Sequence, residues 1–202
     1  MHDAFDSHFY DDLNASLAQG WALLERAAAD RRSPMRTVQV ATVADDGARV
    51  RTVVLRGAER EARSLRFHTD ARSGKMAELE RQPAVEICAY APKAKIQLRL
   101  RGTATLHRTD AVAEAAWTAT APYSRVCYRA AYGPGTPLDA PQEGDPSEAE
   151  RNPANPDAGR GTFVAVTVDV TRIEWLYLAA RGHRRAAFIW VTDFWQACWL
   201  AP

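Results

Sequence analysis

Cysteine is scarce in this sequence and cannot pair evenly. Cys88, Cys127 and Cys198 are three in number, and no two have CxxC spacing. A disulfide framework is therefore not expected, and a reducing cytoplasm is the expected compartment. Nor is one sign of charge in excess. The 26 Lys and Arg stand against 25 Asp and Glu, which argues against a dedicated nucleic-acid binder, whose mark is a basic surplus. No apolar run approaches the roughly 18 residues of a membrane span. The opening MHDAFDSHFYDDL is acidic and lacks the basic start and apolar stretch of a signal peptide. The five histidines are scattered, without HxxxH or Cys–His zinc spacing, so no metal centre is expected. No GxSxG, Walker A or GxGxxG sequence occurs, and no internal repeat is visible.

What the chain does have is alternation, over a length suited to one domain spanning 1–202. A helix is expected over 6–29, where Leu13, Leu17, Trp21, Leu24 and Ala28 form one stripe. Strand patterns follow at 37–43 and 49–56, around the turn residues Asp45, Asp46 and Gly47. Further strands are expected at 64–69, 84–91 and 95–106, with short helices at 72–81 and 110–120. The segment 133–161 holds six of the eleven prolines and almost no large apolar side chains, and reads as a mobile or disordered loop. Strands resume at 162–170, 172–178 and 184–191, before a short end at 194–202. Short strands joined by turns, with few βαβ crossovers, point to a mainly β, antiparallel closed barrel with flanking helices.

Four stretches could carry chemistry. In FHTDARSGK (67–75), Arg72, Ser73 and Lys75 gather where a helix begins. That place attracts anions through unpaired N–H groups and the helix dipole, and a plain capped surface helix is the alternative. In RTVVLR (51–56), Arg51 and Arg56 fall on opposite faces of a regular strand and would serve different ligands or simply end an amphipathic strand. Gln97, Arg99 and Arg101 form the polar face of the cleanest strand. After Trp175, the alternating Arg181, His183 and Arg185 repel one another unless an anion or solvent sits among them.

In this order, RTVVLR, FHTDARSGK, QLRLRG and W…RGHRR before a terminal LAP resemble the pyridoxamine 5′-phosphate oxidase family of FMN-binding split barrels. The wording EICAYAPKAKIQLRLRG looks closest to its Alr4036-type branch. The resemblance implies a six-stranded antiparallel Greek-key barrel acting as a homodimer, with FMN between the subunits. It implies that Arg51 and Lys75, with Ser73 nearby, bind the FMN phosphate. Thr52, Val53, Val54 and Leu55 would lay backbone along the flavin, and His68 and Thr69 would contact it. Gly74 stands where the family has an Arg, and Arg72 is the candidate to compensate. Gln97, Trp175 and Arg185 match isoalloxazine contacts. Arg56, Ser124, Arg181 and His183 match positions that hold the small-molecule substrate, and Arg181, His183 and Arg185 are the candidates closest to the chemistry. The family Tyr and Arg of the helix after QLRLRG are not in place in AWTATAPYSRV. The activity implied is oxidation of pyridoxamine or pyridoxine 5′-phosphate to pyridoxal 5′-phosphate by O2. A flavin reductase, another FMN-dependent reductase, or a non-catalytic flavin- or haem-binding barrel are the alternatives.

Overall fold

A computed structural model describes residues 9–141, 147, 151, 153–180 and 182–202. The first helix, α1 (Leu13–Ala29), starts where Asp12 caps it, its carboxylate accepting from the Ala15 N–H at 2.7 Å. The expected start at residue 6 lies outside the described residues. α1 buries Leu17, Trp21, Leu24 and Ala27 against the sheet. Gly20 lets it sit close, since a Cβ there would lie 3.3 Å from Leu98. At its other end Arg36 donates to the carbonyls of Ala27 and Ala28, closing the helix with a cation where the dipole is negative.

Eight antiparallel strands follow: β1 (Thr37–Ala44), β2 (Gly47–Glu59), β3 (Ser64–Asp70), β4 (Ala84–Ala91), β5 (Ile96–His107), β6 (Phe163–Tyr177), β7 (Arg184–Val191) and β8 (Phe194–Leu200). The order is β3-β2-β1-β4-β5-β6-β7-β8, and β3 also pairs with β6. That pairing closes six strands into a barrel with the Greek-key order 1-2-3-6-5-4, and leaves β7 and β8 as a hairpin extending from β6. The β1–β2 hairpin turns on Asp45 and Asp46, with Gly47 at φ +132° paired to Ala44. Barrel interior and exterior follow the strand period. Val38, Val40, Val53, Leu55, Leu65, Phe67, Ile87, Leu98, Leu100, Val166 and Val168 are buried in one core.

The expected strands 162–170 and 172–178 are one strand, β6. Its register against β5 shifts between Arg101 and Gly102, so Thr171 is the extra residue of a bulge. Buried positions run Val166, Val168, Val170 before it and Ile173, Trp175 after it, and that change of phase reads as a gap in the sequence.

Among the described residues, two further helices pack on the barrel. α2 (Gly74–Arg81) packs Met76 and Leu79 against it. α3 (Ala111–Ala119) is capped by Asp110, which accepts from the Ala113 N–H at 2.9 Å. Beyond α3, Trp117, Tyr128, Phe163, Ala116 and Ala165 form a second small core. The described end of the 133–161 segment is tied to it. Trp117 donates from Nε1 to Asp157 at 3.0 Å, and Arg160 pairs with Glu114 at 2.5 Å. No helix among the described residues is long and apolar enough to cross a membrane.

Candidate functional site

The strand-to-helix junction β3–α2 closes one end of the barrel and gathers most of FHTDARSGK. Thr69 is on the inward face of β3 and is buried, as is Ser73 at the head of α2. Ser73 occupies the N-cap position yet makes no cap bond with its side chain. Its hydroxyl lies 3.1 Å from Thr69 Oγ1 instead. Lys75 donates to both, at 2.8 Å to Thr69 and 3.1 Å to Ser73. Burial lowers the Lys75 ammonium from its ordinary range, and the nearby Arg51 charge adds to this against Glu78 and Asp70. Two hydroxyls and a half-desolvated ammonium, with no acceptor of full charge bonded to Lys75, suit an incoming oxyanion.

Arg51 comes to the same end of the barrel from β2. It lies opposite Val40 on the inward face and donates to Thr42 and, at 2.7 Å, to Glu78 of α2. Thr42 also donates to Glu78. Burial pushes the Glu78 carboxyl up, but the Thr42 and Arg51 hydrogen bonds and the Arg51 charge outweigh it, and it lies below the usual carboxylate range. Gly74 leaves open space beside this group, since its Cβ would meet only Glu78 Oε1, at 3.9 Å. Arg72 is turned elsewhere. Its guanidinium takes Asp70 in a fork, at 3.0 and 2.7 Å, and donates to the Ala130 carbonyl at 2.8 Å.

On β2, Val53 and Leu55 face the core, while Thr52 and Val54 are exposed outward, next to a bulge between Leu55 and Gly57. His68, on the outer face of β3, is directed away from the cradle of Thr69, Ser73 and Lys75. Its ring meets Phe163 edge-on at 4.8 Å, and both of its nitrogens are buried without a partner. Burial, with Arg56 and Arg66 alongside, lowers its pKa to about 3.

A third group lies on the β6–β7–β8 side. Arg185 donates to Glu174 at 2.6 Å, and Glu174 also accepts from Arg172 at 2.8 Å and Arg99 at 3.4 Å. The Arg185 hydrogen bond is the main reason its carboxyl sits below the usual range. His183 and Arg185 line an open groove of about 330 Å³ with Asp11, Arg184, Trp199 and Pro202. Trp175 faces the core and is fully buried, its Nε1 donating to Gln19 at 3.4 Å. Gln97 is half-buried on β5, opposite Leu176. Ser124 lies in a single turn after α3, where its carbonyl accepts from Cys127. Arg181 lies outside the described residues.

One chain thus brings Arg51, Thr69, Ser73 and Lys75 to one barrel end, sets Arg56 with His68 on an outer face, and keeps His183 and Arg185 apart from both. Residues 18–108 match the family model for the pyridoxamine 5′-phosphate oxidase FMN-binding domain. Over those residues, somewhat under half of the chain, the sequence is similar to the pyridoxamine 5′-phosphate oxidase-like FMN-binding family. FMN is the cofactor of that domain, and the Lys75 cradle has the donor set its phosphate needs. Among solved structures, a pyridoxamine 5′-phosphate oxidase-related, FMN-binding protein of Nostoc punctiforme is 27% identical with a TM-score of 0.75, covering 92% of this chain and 96% of that one. PhzG of Burkholderia lata, solved with tetrahydrophenazine-1-carboxylic acid, shares the fold at 19% identity and a TM-score of 0.71, covering 96% of each chain. No curated protein sequence matches the chain.

Sequence reasoning did not single out Thr42, Glu78, Arg31, Arg36 or Arg66. Glu78 follows Lys75 by three residues on α2, a spacing that places it on the same helix face and was the available signal.

Proposed function

We propose that this chain is a cytoplasmic FMN-dependent oxidoreductase working as a homodimer, of the Alr4036-type branch. The observation that carries this reading is the convergence of Lys75, Ser73 and Thr69, with Arg51 beside them, at the head of α2. Those side chains hold the cofactor phosphate. The backbone of β2 from Thr52 to Leu55 would line the flavin ring, with Gln97 and Arg185 also contacting it. Trp175, packed under α1, fixes β6 from behind. FMN, when bound, supplies the hydride acceptor. A guanidinium near the reduced ring stabilises its negative charge, and Glu174 holds Arg185 in position for this. Arg181 and His183 position the substrate, with Arg56 and Ser124 at its far end. The reaction is oxidation of pyridoxamine or pyridoxine 5′-phosphate to pyridoxal 5′-phosphate with O2.

The test is incubation of the FMN-loaded protein with pyridoxamine 5′-phosphate in air, following pyridoxal 5′-phosphate. Its formation supports the oxidase. Its absence, with flavin still bound, rejects the oxidase and leaves the flavoprotein standing.

One observation favours a second reading. The wall that α3 presents to the Arg56–His68 pocket is Ala116, Ala119, Thr120 and Ala121, and the Thr120 hydroxyl is spent on the Ala116 carbonyl at 2.7 Å. A wall without free polar anchors discriminates poorly among substrates. An FMN-dependent reductase of another substrate fits that wall, and anaerobic bleaching of the flavin by NADH or NADPH would favour it. A colourless protein that does not quench added FMN would point to a non-catalytic binding barrel.

A further inference from the structure

Arg51 and Lys75 reach the same barrel end in different states. Lys75 bonds the hydroxyls of Thr69 and Ser73, whereas Arg51 is held in a closed ring. One guanidinium nitrogen of Arg51 donates to Thr42, and another donates to Glu78 Oε2 at 2.7 Å. The Thr42 hydroxyl donates to that same oxygen. The inward row of β1 runs Val38, Val40, Thr42, so this hydroxyl interrupts an apolar row, and the ring accounts for it. Thr42 is buried, and only 23% of the Arg51 side chain and 12% of the Glu78 side chain are exposed. Water and salt therefore screen the pair weakly, and pulling Arg51 away would leave an unmatched carboxylate in a confined place.

The other carboxylate oxygen is turned toward the cofactor cradle. Glu78 Oε1 lies 3.9 Å from where a Gly74 Cβ would stand, and Gly74 joins the cradle residues Ser73 and Lys75. Glu78 and Arg51 act on the Lys75 ammonium in opposite senses, so the three charges share one field. Their sum is small. Lys75 and Arg51 are cations, Glu78 cancels one of them, and Arg72 and Asp70 cancel in their own fork. A phosphate monoester brings a charge of about −1.5 to −2 at neutral pH. The incoming phosphate thus meets less than its full complement of positive charge.

We propose that Glu78 competes with the cofactor phosphate for Arg51. It is the counterion of Arg51 in the flavin-free chain, and by staying beside the phosphate it limits affinity and keeps FMN exchangeable. This rests on the seating of the phosphate at the head of α2 proposed above. The opposite role, in which Glu78 only orients Arg51 toward the phosphate, differs in the sign of its effect. Fluorescence titration of flavin-free parent, Glu78→Gln, Arg51→Gln and the double variant with FMN and with riboflavin tests it. Gln keeps the side-chain length and an oxygen for Thr42 and Arg51, and removes the charge. Glu78→Gln is expected to tighten FMN binding on the order of tenfold. Riboflavin binding should not change, and FMN release, followed by stopped-flow dilution, should slow. Flavin-free Glu78→Gln is expected to melt below the parent, because Arg51 loses its counterion, and FMN should raise its melting temperature more than it raises the parent's. Adding Glu78→Gln to Arg51→Gln is again expected to tighten FMN, which a residue acting only by orienting Arg51 could not do. A preference for FMN over riboflavin that appears only once Glu78 is replaced also supports the proposal. Unchanged or weaker FMN binding in Glu78→Gln, with the parent still preferring FMN to riboflavin, would overturn it and leave the phosphate seat standing. If neither parent nor Glu78→Gln distinguishes the two flavins, both the proposal and the seat are overturned.

Discussion

At the residue scale the informative side chains are those whose partners are missing or shared. Among the described residues Lys75 bonds two neutral hydroxyls, at a cost in desolvation, while Arg51 is matched by Glu78. Lys75→Ala is therefore expected to lower FMN affinity by about 1–3 kcal/mol, as for a lost charged hydrogen bond. Arg51→Ala is expected to cost toward the lower end, because Glu78 already neutralises part of its charge. Fluorescence titration of the two variants would show this order. His68 gives a pH prediction. Its pKa in the fold is about 3, against an ordinary value of 6.5. The unfolded chain binds its proton first, so the stabilisation from a neutral His68 is complete above about pH 6.5 and is lost as pH falls toward 3. His68→Gln should flatten the fall of melting temperature across that window. Sequence order made Arg51, Ser73 and Lys75 legible, because the motif places them at a strand end and a helix start. The environment of His68 was not legible. It depends on Arg56 and Arg66 meeting across a bulged β2–β3 register, which alternation does not encode.

At the element scale, the strands were readable where one face is apolar and the other polar, as in β5 with Ile96, Leu98 and Leu100 inward. β6 carries two separate strand patterns in the sequence because the bulge at Thr171 reverses which residues face the core. The start of α1 was set by the Asp12 cap rather than by the stripe. At the same bulge Gly102 has no room for a side chain. A Cβ there would run into the Asp169 carbonyl and lie 2.8 Å from Val168. The obstacle is backbone in the strand that closes the barrel, so it cannot rotate away. Gly102→Ala is expected to destabilise the protein by about 1–3 kcal/mol, the usual cost of overpacking, measured by urea unfolding. Gly74→Ala, with open space around it, should leave stability within about 0.5 kcal/mol, as most surface changes do.

At the scale of the whole molecule, barrel closure through β3–β6 is what brings the site elements to shared ends and faces. β2 supplies Arg51 to one end of the barrel and Arg56 to the outer pocket, while β3 supplies Thr69 to the first and His68 to the second. The Arg185–Glu174 group stays apart from both within one chain, and the proposed homodimer is the arrangement that would unite them. Light scattering should then give a mass twice that of one chain, and half that mass would reject the shared site. The central claim is that the head of α2 holds the phosphate of FMN. Its most direct measurement is paired titration of flavin-free protein with FMN and with riboflavin, which differ only in that phosphate. FMN binding at least tenfold more tightly than riboflavin, with the difference largely abolished in Lys75→Ala, is the predicted result. Equal affinity for the two flavins, or binding of neither, would contradict it.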